Sequence, residues 1–322
     1  MSDFDAQPFL GRRSDSKSAA LALAHFGLVF APVYLAAVVG LHPLLLLFWL
    51  WFGVTQNGVI NLLHESAHGL TFKSQSLSRF VGSWVLGPLV LADFDDYRDR
   101  HFQHHRRLGM SDDPKLSYHQ EIKGWQLFGF FVRCMLMLEG IRLLKAGSAA
   151  KAGKPRVNGL ARLVRVALVQ LLLLGSIVVV ALLSADTLFE AFIGTVCAYG
   201  FVYGHGLGAL TVFMAGLRAI AEHQHGSDAP AVQGVAALRN FNCGPLSRLA
   251  FGAYGFAEHA THHLEPAIPH YNLPAATDAL SAARPIYSRR SSYLGMLCKL
   301  WSEGREPVAV EALPQAEPRS LV

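Results

Sequence analysis

Residues 258–274 read EHATHHLEPAIPHYNLP, and the reading of His259, His262 and His263 decides how the rest of the chain is understood. Positions i, i+3 and i+4 share one face of a helix, so three imidazoles converge on one side. The same spacing occurs at His101, His104 and His105 in RHFQHHRRLG, and an i, i+4 pair, His64 and His68, stands in HESAHG. Imidazole suits iron, zinc, copper and nickel, and so many ring nitrogens aimed at one point are costly unless a cation takes their lone pairs. The three clusters hold eight of the fifteen histidines. One metal rarely takes more than about four protein ligands, so eight point to two metals.

The sequence around these clusters reads as membrane-embedded. Of 322 residues, 52% are hydrophobic and 16% charged, against about 25% charged in a soluble chain. Cys134, Cys197, Cys243 and Cys298 form no CxxC pair, which excludes a thiolate metal site or a disulfide framework. The net charge of +5 comes from basic residues crowded into a few segments without interleaved stacking aromatics. Such crowding suits membrane orientation and anionic lipid contact, not nucleic acid binding. Arg12, Arg13 and Lys17 precede an apolar run from Ala19 to Gly40 that is too long for a signal peptide.

The expected fold is all-α and integral to the membrane. Four transmembrane helices in two hairpins carry interfacial helices and a cytoplasmic, histidine-rich, metal-binding cap. Residues 1–18 are expected to be a flexible segment, 19–305 a single domain and 306–322 a disordered tail. The spans read as roughly 19–40, 43–63, 160–184 and 187–213, with short outer turns at Leu41-His42 and Ser184-Ala185-Asp186 that lack Lys and Arg. From Pro43 to His68 a helix would run about 39 Å against a hydrocarbon core of about 30 Å, so it protrudes and carries its histidines clear of the lipid. Asn57, Asn61, His64 and His68 fall on one stripe of that helix.

Residues 77–94 hold an apolar run too short to span and broken by Pro88, so they lie in the interface or re-enter shallowly. The first two histidine clusters therefore share a side, which Arg79, Arg98, Arg100, Arg106 and Arg107 assign to the cytoplasm. Residues 122–145 read as one helix along the membrane surface. Gly200, Gly204 and Gly208 suggest a close-packing face on the last span, with His205 beside them and His25 in the first span as packing residues. Both termini are then cytoplasmic, and every histidine cluster lies on one face.

Two other chemistries fit parts of this pattern. His64-Glu65-Ser66-Ala67-His68 matches the H-E-x-x-H signature of zinc proteases, in which Glu65 would be the base. A protease needs one zinc and one further ligand, and it leaves six clustered histidines without a role. A metal transporter would keep its ligands near the midplane of broken spanning helices, not outside the lipid.

The order HESAH, HFQHH, HATHH, interleaved with two helical hairpins, resembles the membrane fatty acid desaturase family over roughly residues 40–275. Box by box, the resemblance implies metal ligation by His64 and His68, by His101, His104 and His105, and by His259, His262 and His263. The family's ninth histidine is best matched by His223, with His225 second. Asn57, Asn61, Glu65, His205, Glu222 and His225 are then candidates for the layer around the ligands or for lining a tunnel. His270, in the tail of the last box, has no ligand counterpart and is expected to be structural.

The resemblance implies two iron ions, O2 as co-substrate and a fatty acyl or lipid substrate. The oxidant made from O2 must take hydrogen from an unactivated CH2, which calls for a dry tunnel. A desaturase is the expected activity; a hydroxylase, ketolase or oxidative decarboxylase could use the same scaffold. The chain shows no cytochrome b5-like domain, so a separate donor of ferredoxin, rubredoxin or cytochrome type is expected. The expected location is a bacterial inner membrane.

Overall fold

The Ser14 hydroxyl accepts the Lys17 amide and starts the first long helix, α1 (Asp15–Val39). It stops at Gly40, whose φ of 59° few other residues adopt. The chain then turns through Leu41 and His42 into α2 (Leu44–Ala67), interrupted at Gln56. The computed structural model describes residues 4–10, 14–115, 122, 124–149, 159–223, 238–289 and 291–302, and among these there is no strand.

Ser74 and Asp93 cap the next two helices, α3 (Gln75–Leu89) and α4 (Phe94–Arg107), which meet at a bend of 103°. This is the segment interrupted by Pro88. α5 (Trp125–Met135) and α6 (Leu138–Ala149) replace the single surface helix expected over 122–145. The break falls at Met137, with φ 59°, where Glu139 takes Arg133 from one side and Arg142 from the other. Gly140 also lies so close to the Gly208 carbonyl that a Cβ would come within 2.6 Å of it, which fixes α6 against the last span.

α7 (Gly159–Ser184) leads through a capping box at Thr187 and Glu190 into α8 (Leu188–Glu222). Helices α1, α2, α7 and α8 are long and apolar enough to cross a membrane, and α3 with α4 would be a fifth crossing if the bent pair were one span. Val29, Val33, Phe52, Val59, Ile177, Ala198 and Val202 form their fully buried core. Leu23, Leu46, Leu171, Leu183, Leu188 and Phe189 are left exposed on the outside.

Three details stand beside the expectations from sequence. The helix over the last expected span, 187–213, continues to Glu222, where Ile220 and Ala221 pack with Leu127, Phe241, Tyr293 and Leu300. The glycine face is realised at Gly206, against Phe52, and at Gly208, against Met137, whereas Gly200 and Gly204 meet only their own helix. Val196–Thr211, the stretch that carries these glycines, is π-helical. Within the segment expected to be flexible, helix begins at Asp15, and Phe4, Phe9 and Leu10 pack against Ile268, Leu273 and Ala276. The tail from 306 lies outside the described residues.

The remaining α-helices of more than four residues among the described ones are α9 (His259–Leu264), α10 (Leu273–Ala283) and α11 (Tyr293–Ser302). Ahead of α9, Gly255 at φ 80° lets the backbone pass close to Leu273 and His270. Asn240 holds α9 by donating to Thr261 Oγ1 and accepting the Thr261 amide.

Candidate metal centre

The histidines arrive from four elements. The C-terminal end of α2 carries His64, with His68 just beyond it, and α4 carries His101, His104 and His105. His223 follows the last residue of α8, and α9 carries His259, His262 and His263. They meet as two adjoining groups. In the first, one ring nitrogen from each of His64, His68, His101, His105 and His262 lies within 4.8 Å of all the others. The ε nitrogens of His68 and His105 approach that of His101 to 2.8 and 2.9 Å.

In the second group, Glu222, His223 and His259 offer ligand atoms equally close together. His104 joins them, its Nε2 3.4 Å from His223 Nε2. His263 lies between the groups, its ring 4.7 Å from His259 and stacked 4.0 Å from His105.

The chemistry of these donors fits metal ions. Among the described residues, His64 has no hydrogen-bond partner on either nitrogen, and the ε nitrogens of His259, His262 and His263 are equally unpartnered and buried. Buried polar atoms are rarely left so unless something else binds them. Burial first, then the neighbouring imidazoles, pushes the pKa of His68, His101, His105, His259 and His263 well below the ordinary 6.5. Burial brings His262 down to about 4. Neutral rings present lone pairs, which is what a cation requires.

Several neighbours fix ring orientation. The His104 Nδ1–H donates to Asp113 at 2.9 and 3.0 Å, and His223 Nδ1–H donates to the Ala219 carbonyl at 2.7 Å. Both bonds leave Nε2 facing the group. Asp113 also accepts the Gly109 and Lys115 amides. Burial alone would raise its pKa, but the His104 bond and these amides outweigh that and lower it. Lys115 Nζ lies 3.1 Å from His101 Nδ1, and burial together with the Arg218 charge pushes its pKa down to about 8.

The other residues singled out from sequence have varied places. Asn57 and Asn61 donate to the backbone carbonyls of Ala250, Phe251 and Ala253, and Arg218 donates to Asn61. Glu65 accepts the backbone N–H of His270 at 3.0 Å and its Nδ1–H at 3.2 Å. His205 ties three elements together, accepting from Trp49 Nε1 and donating to the Met135 carbonyl, and His25 donates to the Thr55 carbonyl. Glu222 accepts the Tyr293 hydroxyl at 2.7 Å. His225 lies outside the described residues.

Sequence reasoning missed Asp113, Lys115, Arg218 and Tyr293. Only the first had a signal, a carboxylate pair in SDDPK a few residues behind the second histidine cluster.

The family model for fatty acid desaturases matches residues 41–293, a stretch that contains both histidine groups. The chain belongs to the fatty acid desaturase family. No curated protein matches it. Membership makes this fatty acid desaturase family chain an oxidoreductase, and the clustered histidines are compatible with the family's di-iron chemistry. The H-E-x-x-H reading fares worse. Glu65 is engaged by His270, and His64 and His68 share their group with three further imidazoles where a protease has one further ligand.

Proposed function

We propose that the protein is a membrane-embedded, O2-dependent di-iron desaturase that introduces a double bond into a fatty acyl or lipid chain. One observation carries this reading. Nine imidazoles from four separate elements pack into two adjoining buried groups, in a chain of the desaturase family. His64, His68, His101, His105 and His262 would hold one ion, and His104, His223, His259 and His263 the other. Bound there, a pair of irons would supply O2 activation and the removal of hydrogen from an unactivated CH2.

The protein's own part is to present unprotonated nitrogens and keep water away. The low pKa of the rings keeps them neutral, and Asp113 and the Ala219 carbonyl hold the tautomers of His104 and His223. Phe256 covers His64 at 4.6 Å and His259 at 5.5 Å between ring centres, and the Arg218 guanidinium lies 4.0 Å from the Phe256 ring centre. An apolar chain placed against such a wall meets few competing hydrogen-bond donors.

In this reading α1, α2, α7 and α8 cross the membrane with the histidines at the cytoplasmic end. Exposed Arg106 and Arg107 flank them, and the turns at Gly40–Pro43 and Ser184–Thr187 on the far side carry no Lys or Arg. The exposed leucines of the spans would face acyl chains, and electrons would come from a separate ferredoxin, rubredoxin or cytochrome on the polar side.

Mass analysis of lipids and acyl metabolites from expressing cells tests the reaction. Loss of two hydrogens is expected; a new hydroxyl, ketone or terminal alkene would instead select the hydroxylase, ketolase or decarboxylase alternatives. His105→Ala and His262→Ala should each abolish product and lower bound iron. Wild-type turnover in both variants would refute the ligand set.

A further inference from the structure

The two groups draw on the chain in a mirrored way. The first takes two histidines from α2, two from α4 and one from α9. The second takes His259 from α9, His223 from the end of α8 and His104 from α4, and His263, which lies between the groups, is assigned to it in the two-ion reading. On histidines alone the second group is one donor short, and beside His223 stands the buried carboxylate of Glu222.

Its geometry distinguishes a ligand from a hydrogen-bond partner. Glu222 Oε2 lies 3.8 Å from His259 Nε2, a nitrogen with no hydrogen-bond partner. That is too long for a hydrogen bond. It is close to the separation of two donors on one ion, each about 2.1 Å from it and roughly 3–4 Å from the other. The ligand atoms of Glu222, His223 and His259 all lie within 4.8 Å of one another. The second oxygen is held away from the group, accepting from Tyr293 at 2.7 Å with Arg218 Nε 3.6 Å off. This clamp turns Oε2 toward His259.

We propose that Glu222 is a metal ligand through Oε2, the fifth donor of the second group. The inference rests on the two-ion reading above and adds a chemical difference between the ions. One sits among five neutral imidazoles; the other has four imidazoles and a carboxylate, a harder and negatively charged donor that holds a divalent cation more strongly.

The test uses full-length protein purified in detergent and loaded with iron(II), comparing wild type with Glu222→Gln and Tyr293→Phe. Iron per chain is measured against a buffered chelator, and wild type is also loaded with enriched iron for Mössbauer spectroscopy. Glutamine keeps an acceptor for Tyr293 but removes the anionic oxygen. Glu222→Gln is expected to weaken one of two irons by at least about tenfold while the other stays bound, which also shows that the fold survives. Tyr293→Phe should retain two irons, and wild type should give two quadrupole doublets of different isomer shift.

Two irons of unchanged affinity in Glu222→Gln would overturn the proposal. A single doublet in wild type overturns it without recourse to any variant. Fewer than two irons in wild type would strike the di-iron reading itself, a different failure.

Discussion

Replacing Asp113 with asparagine removes one oxygen acceptor from a place where every acceptor is in use. Oδ1 takes the Lys115 amide at 2.8 Å, Oδ2 takes the Gly109 amide at 3.0 Å, and His104 Nδ1–H sits between them. Whichever way the asparagine amide turns, its NH2 faces a backbone N–H. The His104 bond is charge-assisted and buried, worth about 2 kcal/mol, and a donor facing a donor adds about 1 kcal/mol or more. If the about 2 kcal/mol assigned to His104 orientation appears in metal binding, the second group loses about 30-fold in affinity. Competition with a calibrated chelator reads this directly, and thermal unfolding in detergent reads the stability change. Asp112→Asn is the matched control. Asp112 is an exposed neighbour 3.5 Å from Arg107, so the change should cost little. Wild-type iron affinity and unfolding in Asp113→Asn would refute the claim that this carboxylate orients His104.

The metal-free protein should lose stability on acidification. His262 titrates at about 4 when folded and at its ordinary 6.5 when unfolded, so between these values the unfolded chain binds a proton that the folded one refuses. Stability is full above 6.5 and falls toward pH 4, by roughly 3 kcal/mol for this residue, with the other depressed histidines adding the same sign. Denaturant titrations at several pH values check this, and a gain on acidification would contradict it. Chelation should also destabilise the protein, because it re-creates the unpartnered nitrogens of His64, His259, His262 and His263, at about 1–3 kcal/mol each. Identical melting with and without iron would count against metal ligation. Gly194→Ala should cost about 1–3 kcal/mol, since its Cβ collides with the Ala37 carbonyl, whereas Gly175→Ala meets nothing within 4 Å and should be neutral or stabilising by up to about 1 kcal/mol. Unfolding midpoints of the two variants should therefore separate.

The histidine spacing and the long apolar runs were legible because both follow from helix periodicity alone. The C-terminal end of α8 was not. Arg218 looks like the first residue in water, yet its side chain is buried, lying over Phe256 and donating to Asn61. Charge marks a membrane boundary only when no partner waits inside, and partners from distant segments leave no trace in local sequence. The same holds for Asn57 and Asn61, whose helical stripe was readable while their partners, the carbonyls of Ala250, Phe251 and Ala253, were not. Tyr293, 71 residues from Glu222, had no signal at all. The break at Met137 was hidden because Glu139 reads as a polar interruption of an amphipathic helix until Arg133 and Arg142 close on it.

Helix phase explains why two groups form and not one. Residues four apart on a helix differ by about 40° and residues one apart by about 100°, so H-x-x-H-H sends its first and last rings one way and its middle ring another. In α4, His101 and His105 enter the first group while His104 reaches His223 in the second. In α9 the sense is reversed: His259 and His263 pack together, 4.7 Å apart, while His262 enters the first group. Each of these two helices thus serves both groups, and neither group can be assembled without both. The i, i+4 pair on α2 then tips the first group to five rings, and the end of α8 supplies the balance to the second. An extra residue between His101 and His104 would rotate His104 and His105 by about 100° relative to His101 and strip a ring from each group at once. Changes to the phase of α4 or α9 therefore act on both groups, whereas a change at a single donor acts on one.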